Sequence, residues 1–233
     1  MKHGKGRPAR FLVLACLVLG LATDSARAQE FAWDDGTAEL AYQFLGLPPL
    51  NGIWLNRFDA GPGGATITHI RAAFGLVGST TPIDGLPIQL GLWVDPDGGD
   101  VRNAILVRSL NGSISQGHTG QFVDFDIEDY SLTGPFLISV YVPNAPASTN
   151  LGPVDTSPPT FSDVSFVGVG GASADPTDLN SFVTWGGVNF GNFLLRASFT
   201  PIPEPSTLML LTAGGLGALV AAQRRHRRSA ATR

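Results

Sequence analysis

The sequence contains little cysteine, and its long central segment contains few basic residues. Cys16 is the one cysteine among 233 residues, and residues 29–200 contain no lysine and only five arginines against 17 acidic residues. This acidic segment cannot neutralise the phosphates of a nucleic acid, which excludes DNA or RNA as a partner. Because it has no cysteine it forms no internal disulfide, so its stability must come from packing or from a bound metal.

Residues that would support catalysis are also scarce. His69 and His118 are the only histidines between residues 29 and 200, and no Gly-x-Ser-x-Gly turn or cysteine is available to serve as a nucleophile beside them. The spacing of the histidines is not that of a zinc site. We therefore expect a protein that is not an enzyme.

The N-terminal segment has the three parts of a secretory signal peptide. Four basic residues precede an uncharged run over residues 11–22, and Ala26-Arg27-Ala28 follows as a small-x-small site. The apolar run is too short for a membrane span of about 20 residues. We predict that residues 1–28 are removed by cleavage after Ala28, and Cys16 leaves with them.

The C-terminal segment places a Pro-rich linker, an apolar run and a basic cluster in that order. Pro203-Glu204-Pro205 precedes the uncharged residues 208–222, which we predict to form a transmembrane helix. Fifteen helical residues reach about 22 Å, short of a hydrocarbon core of about 30 Å, so this anchor is marginal. The arginines that follow orient it, with the tail in the cytoplasm and residues 29–200 outside. They are Arg224, Arg225, Arg227 and Arg228.

These C-terminal residues resemble the PEP-CTERM sorting signal of Gram-negative bacteria, in which a Pro-Glu-Pro motif, an apolar helix and an Arg-rich terminus occur together. The resemblance implies recognition through Pro203, Glu204 and Pro205 by an exosortase, a membrane-embedded transpeptidase-like enzyme. It also implies transient anchoring in the inner membrane and delivery to the cell surface or to a matrix of extracellular polysaccharide. The alternative is an ordinary C-terminal anchor on a Pro-rich stalk.

Apolar and other side chains alternate along residues 29–200. The pattern predicts strands with one buried face, and no window of a dozen residues shows helical periodicity. Stretches rich in Gly, Pro and Asn separate the strands. We expect about nine strands, at residues 54–58, 66–76, 88–94, 104–110, 122–127, 136–142, 162–169, 181–185 and 193–199.

This spacing predicts an all-β fold, a single antiparallel β-sandwich that is either jelly-roll-like or immunoglobulin-like. Prolines and asparagines interrupt residues 143–161, which we predict to be a long surface loop. The chain then has five parts. They are a signal peptide (1–28), an acidic extracellular sandwich (29–200), a Pro-rich linker (201–207), a transmembrane helix (208–222) and an Arg-rich cytoplasmic tail (223–233).

Three acidic stretches are candidate sites. Asp95, Asp97 and Asp100 can surround a hard cation such as Ca²⁺, or form a turn between strands. The stretch 34–39 offers a second cation site or a turn. The acidic residues of 124–129, which include Asp124 and Asp126 on one strand face, can serve glycoside hydrolysis or form a solvated face.

Trp93 is a candidate for stacking on a sugar ring. It alternates with Ile88, Leu90, Leu92 and Val94, so it faces solvent if those four residues fill the core. The alternative is that both faces of this strand are covered and Trp93 belongs to the core.

These observations favour an exported surface or extracellular-matrix protein whose non-catalytic sandwich serves adhesion, structure or glycan binding. The alternative function is that of a secreted carbohydrate-active enzyme that uses the acidic residues of 124–129. Expected partners are an exosortase-like enzyme, the inner membrane and extracellular polysaccharide. No cofactor is required, although Ca²⁺ is a candidate.

Replacing Pro203, Glu204 and Pro205 with alanine tests the sorting signal. In a host that has an exosortase, we expect the variant to accumulate at full length in the inner membrane while the unaltered protein is processed. Intact mass of the protein from the cell envelope and from the medium measures the difference. Equal processing of the two proteins would contradict the assignment.

Overall fold

The computed structural model describes residues 29–43, 50–161, 163–202 and 214–215. The predicted signal peptide with Ala26 and Ala28, the Pro-Glu-Pro motif and the arginines of the tail lie outside these residues. So does the predicted transmembrane helix over 208–222, apart from Gly214 and Gly215. Within the described residues, no helix is both long enough and apolar enough to cross a membrane.

The described residues form thirteen β-strands and two short 3₁₀ turns, at Val101–Asn103 and Leu179–Ser181. Every strand pairing among them is antiparallel. The strands are β1 (Gln29–Phe31), β2 (Leu40–Gln43), β3 (Leu50–Asp59), β4 (Ala65–Ala72), β5 (Pro87–Val94), β6 (Ile105–Ser113), β7 (Val123–Leu132), β8 (Pro135–Ala145), β9 (Asn150–Asp155), β10 (Ser165–Gly170), β11 (Thr184–Gly187), β12 (Asn192–Phe193) and β13 (Leu195–Pro201).

The strands are arranged in three sheets. A four-stranded sheet has the order β1-β13-β4-β7, a six-stranded sheet has the order β11-β10-β3-β8-β5-β6, and a small sheet has the order β12-β9-β2. From β3 to β8 the chain passes repeatedly between the two larger sheets, as in Greek-key sandwiches. The prediction of an antiparallel all-β sandwich is confirmed.

The main core lies between the two larger sheets. Ile67 and Ile70 of β4 and Leu195 of β13 pack in one cluster with Leu90 of β5 and Ile138 of β8, and all five side chains are fully buried. Burial of each such side chain stabilises the fold by about 1.5–3 kcal/mol. The period-two alternation arises because alternate side chains of each strand enter this core.

A second cluster covers the outer face of the six-stranded sheet. Leu55 of β3 and Leu137 of β8 pack there against Val101, Leu179 and Phe182, which the two 3₁₀ turns and the residue after the second turn supply. The central strands of this sheet are therefore buried on both faces.

Trp93 belongs to this second cluster and is only 1% exposed. Its Nε1 donates a hydrogen bond to Ser139 Oγ at 2.9 Å, and a Cβ added to Gly91 would lie 2.6 Å from that nitrogen. The prediction that Trp93 faces solvent is wrong, because distant segments of the chain cover the strand face that the local pattern leaves open. The alternative of a buried Trp93 is confirmed, and stacking of a sugar on Trp93 is ruled out by its burial.

The predicted surface loop over residues 143–161 is also wrong in part. It contains β9, which pairs with β2 and β12, and Leu151 and Val154 of this strand are fully buried. Pro153 does not prevent the pairing, since its carbonyl accepts a hydrogen bond from the Leu194 N–H at 3.1 Å.

Trp93→Ala tests whether the second cluster stabilises the domain. We expect the free energy of unfolding to fall by about 3–5 kcal/mol, because the change leaves a cavity and removes the partner of Ser139. Urea denaturation measures the loss. Val183→Ala is the control, since Val183 is 86% exposed and the change should cost under about 0.5 kcal/mol. Equal losses in the two variants would show that the outer cover contributes little.

Candidate functional site

A cleft of about 270 Å³ lies where the segment after β1 meets the end of β9. Both segments contribute polar and aromatic side chains to it. The polar and aromatic residues that line it are Trp33, Asp34, Asp35, Asp155, Ser157 and Phe161. The cleft therefore combines ring faces with hydrogen-bonding groups.

Trp33 and Phe161 form the aromatic side of the cleft. Their ring centroids are 4.7 Å apart with an interplanar angle of 50°. On the core side, Trp33 stacks on Phe58 at 5.7 Å and its Nε1 donates to the carbonyl of Arg57 at 2.6 Å. Trp33 is thus held in one orientation, whereas Phe161 is 37% exposed.

Three carboxylates meet beside the aromatic side of the cleft. One oxygen from each of Asp35, Glu39 and Asp155 lies within 4.8 Å of the other two. Among the residues that the structure describes, this is the one group of three potential metal-ligating side chains whose ligand atoms lie this close together. Asp35 and Glu39 are exposed, while Asp155 is only 2% exposed.

Pairing of β2 with β9 brings these carboxylates together. The Glu39 N–H donates to the carbonyl of Val154 at 3.2 Å, and the Thr156 N–H donates to Glu39 Oε2 at 2.7 Å. The Asp35 N–H in turn donates to Asp155 Oδ2 at 2.7 Å. The turn that contains residues 34–39 is therefore fastened along the end of β9.

Hydrogen bonds favour the ionised form of two of the three carboxylates. Donation from the Thr37 hydroxyl and N–H lowers the pKa of Asp35 below its ordinary value. Donation from the Thr156 N–H lowers the pKa of Glu39. The site is therefore negatively charged at neutral pH, as a cation site requires.

Asp34 also lines the cleft, and it pairs with Arg196 of β13. Its side chain is fully buried, and Arg196 Nε donates to it at 3.0 Å. Burial raises the pKa of Asp34 and outweighs the opposing effect of Arg196. Arg196 also binds Glu30 at 3.0 Å, and its guanidinium lies 4.3 Å from the centre of the Phe122 ring. These contacts attach the cleft to the four-stranded sheet.

The predicted calcium residues Asp95, Asp97 and Asp100 follow β5, as expected. Asp95 is fully buried; its Oδ2 accepts from Arg57 Nε at 2.8 Å, while its Oδ1 has no hydrogen-bond partner among the described residues. Burial raises the pKa of Asp95. Asp100 is exposed and pairs with Arg102, so two arginines already bind this loop. Calcium here stays a prediction.

The acidic residues of 124–129 lie on β7 at the edge of the four-stranded sheet. Asp124 and Asp126 are exposed, opposite Arg71 and His69 of β4. Glu128 pairs with Arg108 at 3.1 Å. The two aspartates share one face, as the alternation predicts, and their use in catalysis stays a prediction.

Sequence reasoning missed the part that Asp155 and Trp33 play in this cleft. Asp155 lies 120 residues from Asp35 and follows a Pro-rich stretch, so no local spacing relates the two. The available signal was the pair of apolar residues Leu151 and Val154, which lie in the strand that ends at Asp155.

The described residues thus define an antiparallel β-sandwich domain with an acidic, aromatic cleft. The family model of the PEP-CTERM protein-sorting motif matches residues 201–227, directly after this domain. The chain therefore carries a PEP-CTERM sorting signal, and the resemblance noted in its sequence is confirmed. It is an exported protein targeted to the cell surface, and its motif implies processing by an exosortase-type enzyme. The individual roles of Pro203, Glu204, Pro205 and the arginines stay predictions.

Comparison with solved structures finds a likeness to "The crystal structure of the cysteine protease and lectin-like domains of Cwp84, a surface layer associated protein of Clostridium difficile". The TM-score is 0.44 at 16% sequence identity, over 65% of this chain and 32% of that chain. The comparison with curated proteins finds no significant match.

Arg196→Met tests the ion pair behind the cleft. The variant leaves the Asp34 carboxylate buried without its cation, so we expect the free energy of unfolding to fall by about 3 kcal/mol. Thermal or urea unfolding measures the change. In the control Arg102→Met, the exposed pair with Asp100 is lost, and stability should be essentially unchanged. A similar loss of stability in both variants would show that the burial of Asp34 is not the reason why the free energy of unfolding falls.

Proposed function

We propose that the sandwich is a non-catalytic glycan-binding domain that holds this exported protein in an extracellular polymer. The observation that carries the proposal is the cleft in which Trp33 and Phe161 stand beside Asp35, Asp155 and Ser157. A sugar ring offers an apolar CH face to an aromatic ring and hydroxyl groups to carboxylates, so both parts of the cleft suit it.

The exposure of Phe161 supports stacking at this cleft. Trp93, the stacking candidate considered from the sequence, is buried, whereas Phe161 is 37% exposed and stands against a Trp33 ring that is already held by the core. A ring that is fixed in advance loses little conformational freedom when a ligand binds. The volume of about 270 Å³ is at the lower limit of ligand pockets and suits a single sugar residue or the end of a chain.

The chemistry of the carboxylates favours binding over hydrolysis. Glycoside hydrolysis needs one carboxyl group that stays protonated at working pH and reaches the leaving oxygen. In the cleft, the pKa of Asp35 is lowered by Thr37, and Asp34, whose pKa is raised, is buried against Arg196. Neither residue suits the role of an acid catalyst.

The sorting signal supports the same proposal. A protein that is exported to the cell surface reaches the polysaccharides found there, and its domain needs no catalytic activity to act as an adhesive or structural part of that layer. The excess of acidic residues over arginines favours a neutral or cation-bridged glycan over a strongly acidic one.

Phe161→Ala tests glycan binding. We expect the affinity for polysaccharide isolated from the native host to fall about tenfold, because the sugar loses one stacking surface. Affinity electrophoresis in gels that contain the polysaccharide measures the change. Val183→Ala removes an exposed apolar side chain outside the cleft and should bind as the unaltered protein does.

Two results would overturn the proposal. Unchanged binding by Phe161→Ala would remove the cleft from the interaction. Release of sugar products by the unaltered protein, together with loss of that release in the double variant Asp124→Ala and Asp126→Ala, would establish the enzyme instead.

A further inference from the structure

The spacing of Asp35, Glu39 and Asp155 fits a single calcium ion. Calcium binds oxygen at about 2.4 Å, so two of its ligands can be separated by at most about 4.8 Å. The three carboxylate oxygens lie within 4.8 Å of one another, although Asp35 and Asp155 are 120 residues apart in the chain. Distant segments thus place three hard oxygen donors at one point.

Asn192 provides a second and independent observation. It stands directly opposite Asp155 in the pairing of β12 with β9, so the two side chains project from the same face of the pair. Its Nδ2 donates to the carbonyl of Trp33 at 3.2 Å, two residues before Asp35. The amide group is therefore bonded to the segment that leads to Asp35 and projects from the same face as Asp155.

The Asn192 Oδ1 is a buried oxygen that no described residue satisfies. Asn192 is 1% exposed, and its Oδ1 has no hydrogen-bond partner in the described part of the chain. A buried acceptor without a partner is unfavourable unless a ligand binds it. The Asp155 carboxylate on the paired strand accepts hydrogen bonds from the N–H groups of Asp35 and Ser157, both at 2.7 Å, and as an ionised acceptor it donates nothing to the Asn192 Oδ1. A cation is the ligand that suits oxygens of both residues.

The local charges point the same way. None of the ion pairs among the described residues includes Asp35, Glu39 or Asp155. Arg196, which acts on Asp35 electrostatically, forms its ion pairs with Asp34 and Glu30 instead. Three neighbouring carboxylates that make no ion pair repel one another, and a divalent cation relieves that repulsion.

We propose that Asp35, Glu39, Asp155 and the Asn192 Oδ1 bind one Ca²⁺ ion. The donors are all oxygen atoms, with neither histidine nor cysteine among them, which favours a hard cation over zinc. They come from a loop and three separate strand ends, and such an irregular set suits Ca²⁺ better than the strict octahedron of Mg²⁺. The ion joins the turn of residues 34–39 to the ends of β9 and β12.

This site borders the cleft without depending on glycan binding. Asp35 and Asp155 line the cleft, whereas Glu39 and Asn192 are not among its lining residues. The ion would hold Trp33 through the Asn192 amide and so order the aromatic side. Calcium binding is measured without any sugar present, so failure of one proposal leaves the other open to its own test.

The test uses the processed protein recovered from its host, stripped with chelator and titrated with CaCl₂ in a calorimeter. We expect one Ca²⁺ per chain and a higher melting temperature with Ca²⁺ than with chelator, because an ion that binds only the folded state stabilises it. Absence of both binding heat and a melting shift at millimolar Ca²⁺ would overturn the proposal.

Matched variants locate the ion. Glu39→Gln keeps the shape of an exposed side chain and removes one charge, so the calcium affinity should fall at least about tenfold. Asn192→Asp keeps an oxygen at the same position and should retain calcium binding, with a larger melting shift between chelator and Ca²⁺. A purely structural role of Asn192 would not produce that larger shift.

Two control variants separate this site from other acidic residues. Asp124→Asn alters an exposed carboxylate of β7 and should leave calcium affinity unchanged; an equal loss in Asp124→Asn and Glu39→Gln would mean diffuse attraction to an acidic surface. Asp97→Asn should also bind normally. Loss of binding in Asp97→Asn with retention in Glu39→Gln would place the ion in the loop after β5 and refute the site at Asp155.

Discussion

Burial of β3 on both faces is the constraint on which the rest of the domain depends. Trp54 and Phe58 enter the core between the two larger sheets, while Ile53 and Leu55 enter the cluster on the outer face. A strand covered on both sides needs apolar side chains at consecutive positions, and any polar group among them needs partners. Without disulfides the domain depends on this packing, and the two 3₁₀ turns supply part of the outer cover.

The hydrogen bonds of Asn56 link β3 to the segment beside the cleft. Asn56 is fully buried, and its Nδ2 donates to the carbonyls of Phe193 and Leu195 at 2.9 and 3.0 Å while its Oδ1 accepts from Ser165. These bonds fix the chain where β12 becomes β13. Asn192, one residue earlier, is thereby held opposite Asp155. Both side-chain polar atoms of Asn56 make hydrogen bonds within the protein. The Asn192 Oδ1 has no such partner among the described residues, so it is the atom that can bind a ligand.

The sorting signal and the sandwich meet at one sheet. β13 ends at Pro201, where the matched sorting motif begins, and this strand pairs with β1 on one side and β4 on the other. Arg196 of β13 binds both Glu30 of β1 and Asp34 of the cleft. The cleft is therefore attached to the strand that leads into the processed tail, which suits a domain that must stay folded after the tail is recognised.

The sequence by itself determined the sorting signal and the class of fold. Pro203, Glu204 and Pro205 form a contiguous motif, and the two-residue period that marks β5 and β8 is local, so both can be interpreted without knowledge of distant contacts. The burial of Trp93, the strand β9 within a Pro-rich stretch and the meeting of Asp35 with Asp155 were decided only by tertiary structure. Each depends on segments that are distant in the chain, as the cluster that Trp93 shares with Phe182 and the hydrogen bond between Asp35 and Asp155 illustrate. Local periodicity describes which side of a strand is apolar, but it does not reveal what lies against the other side.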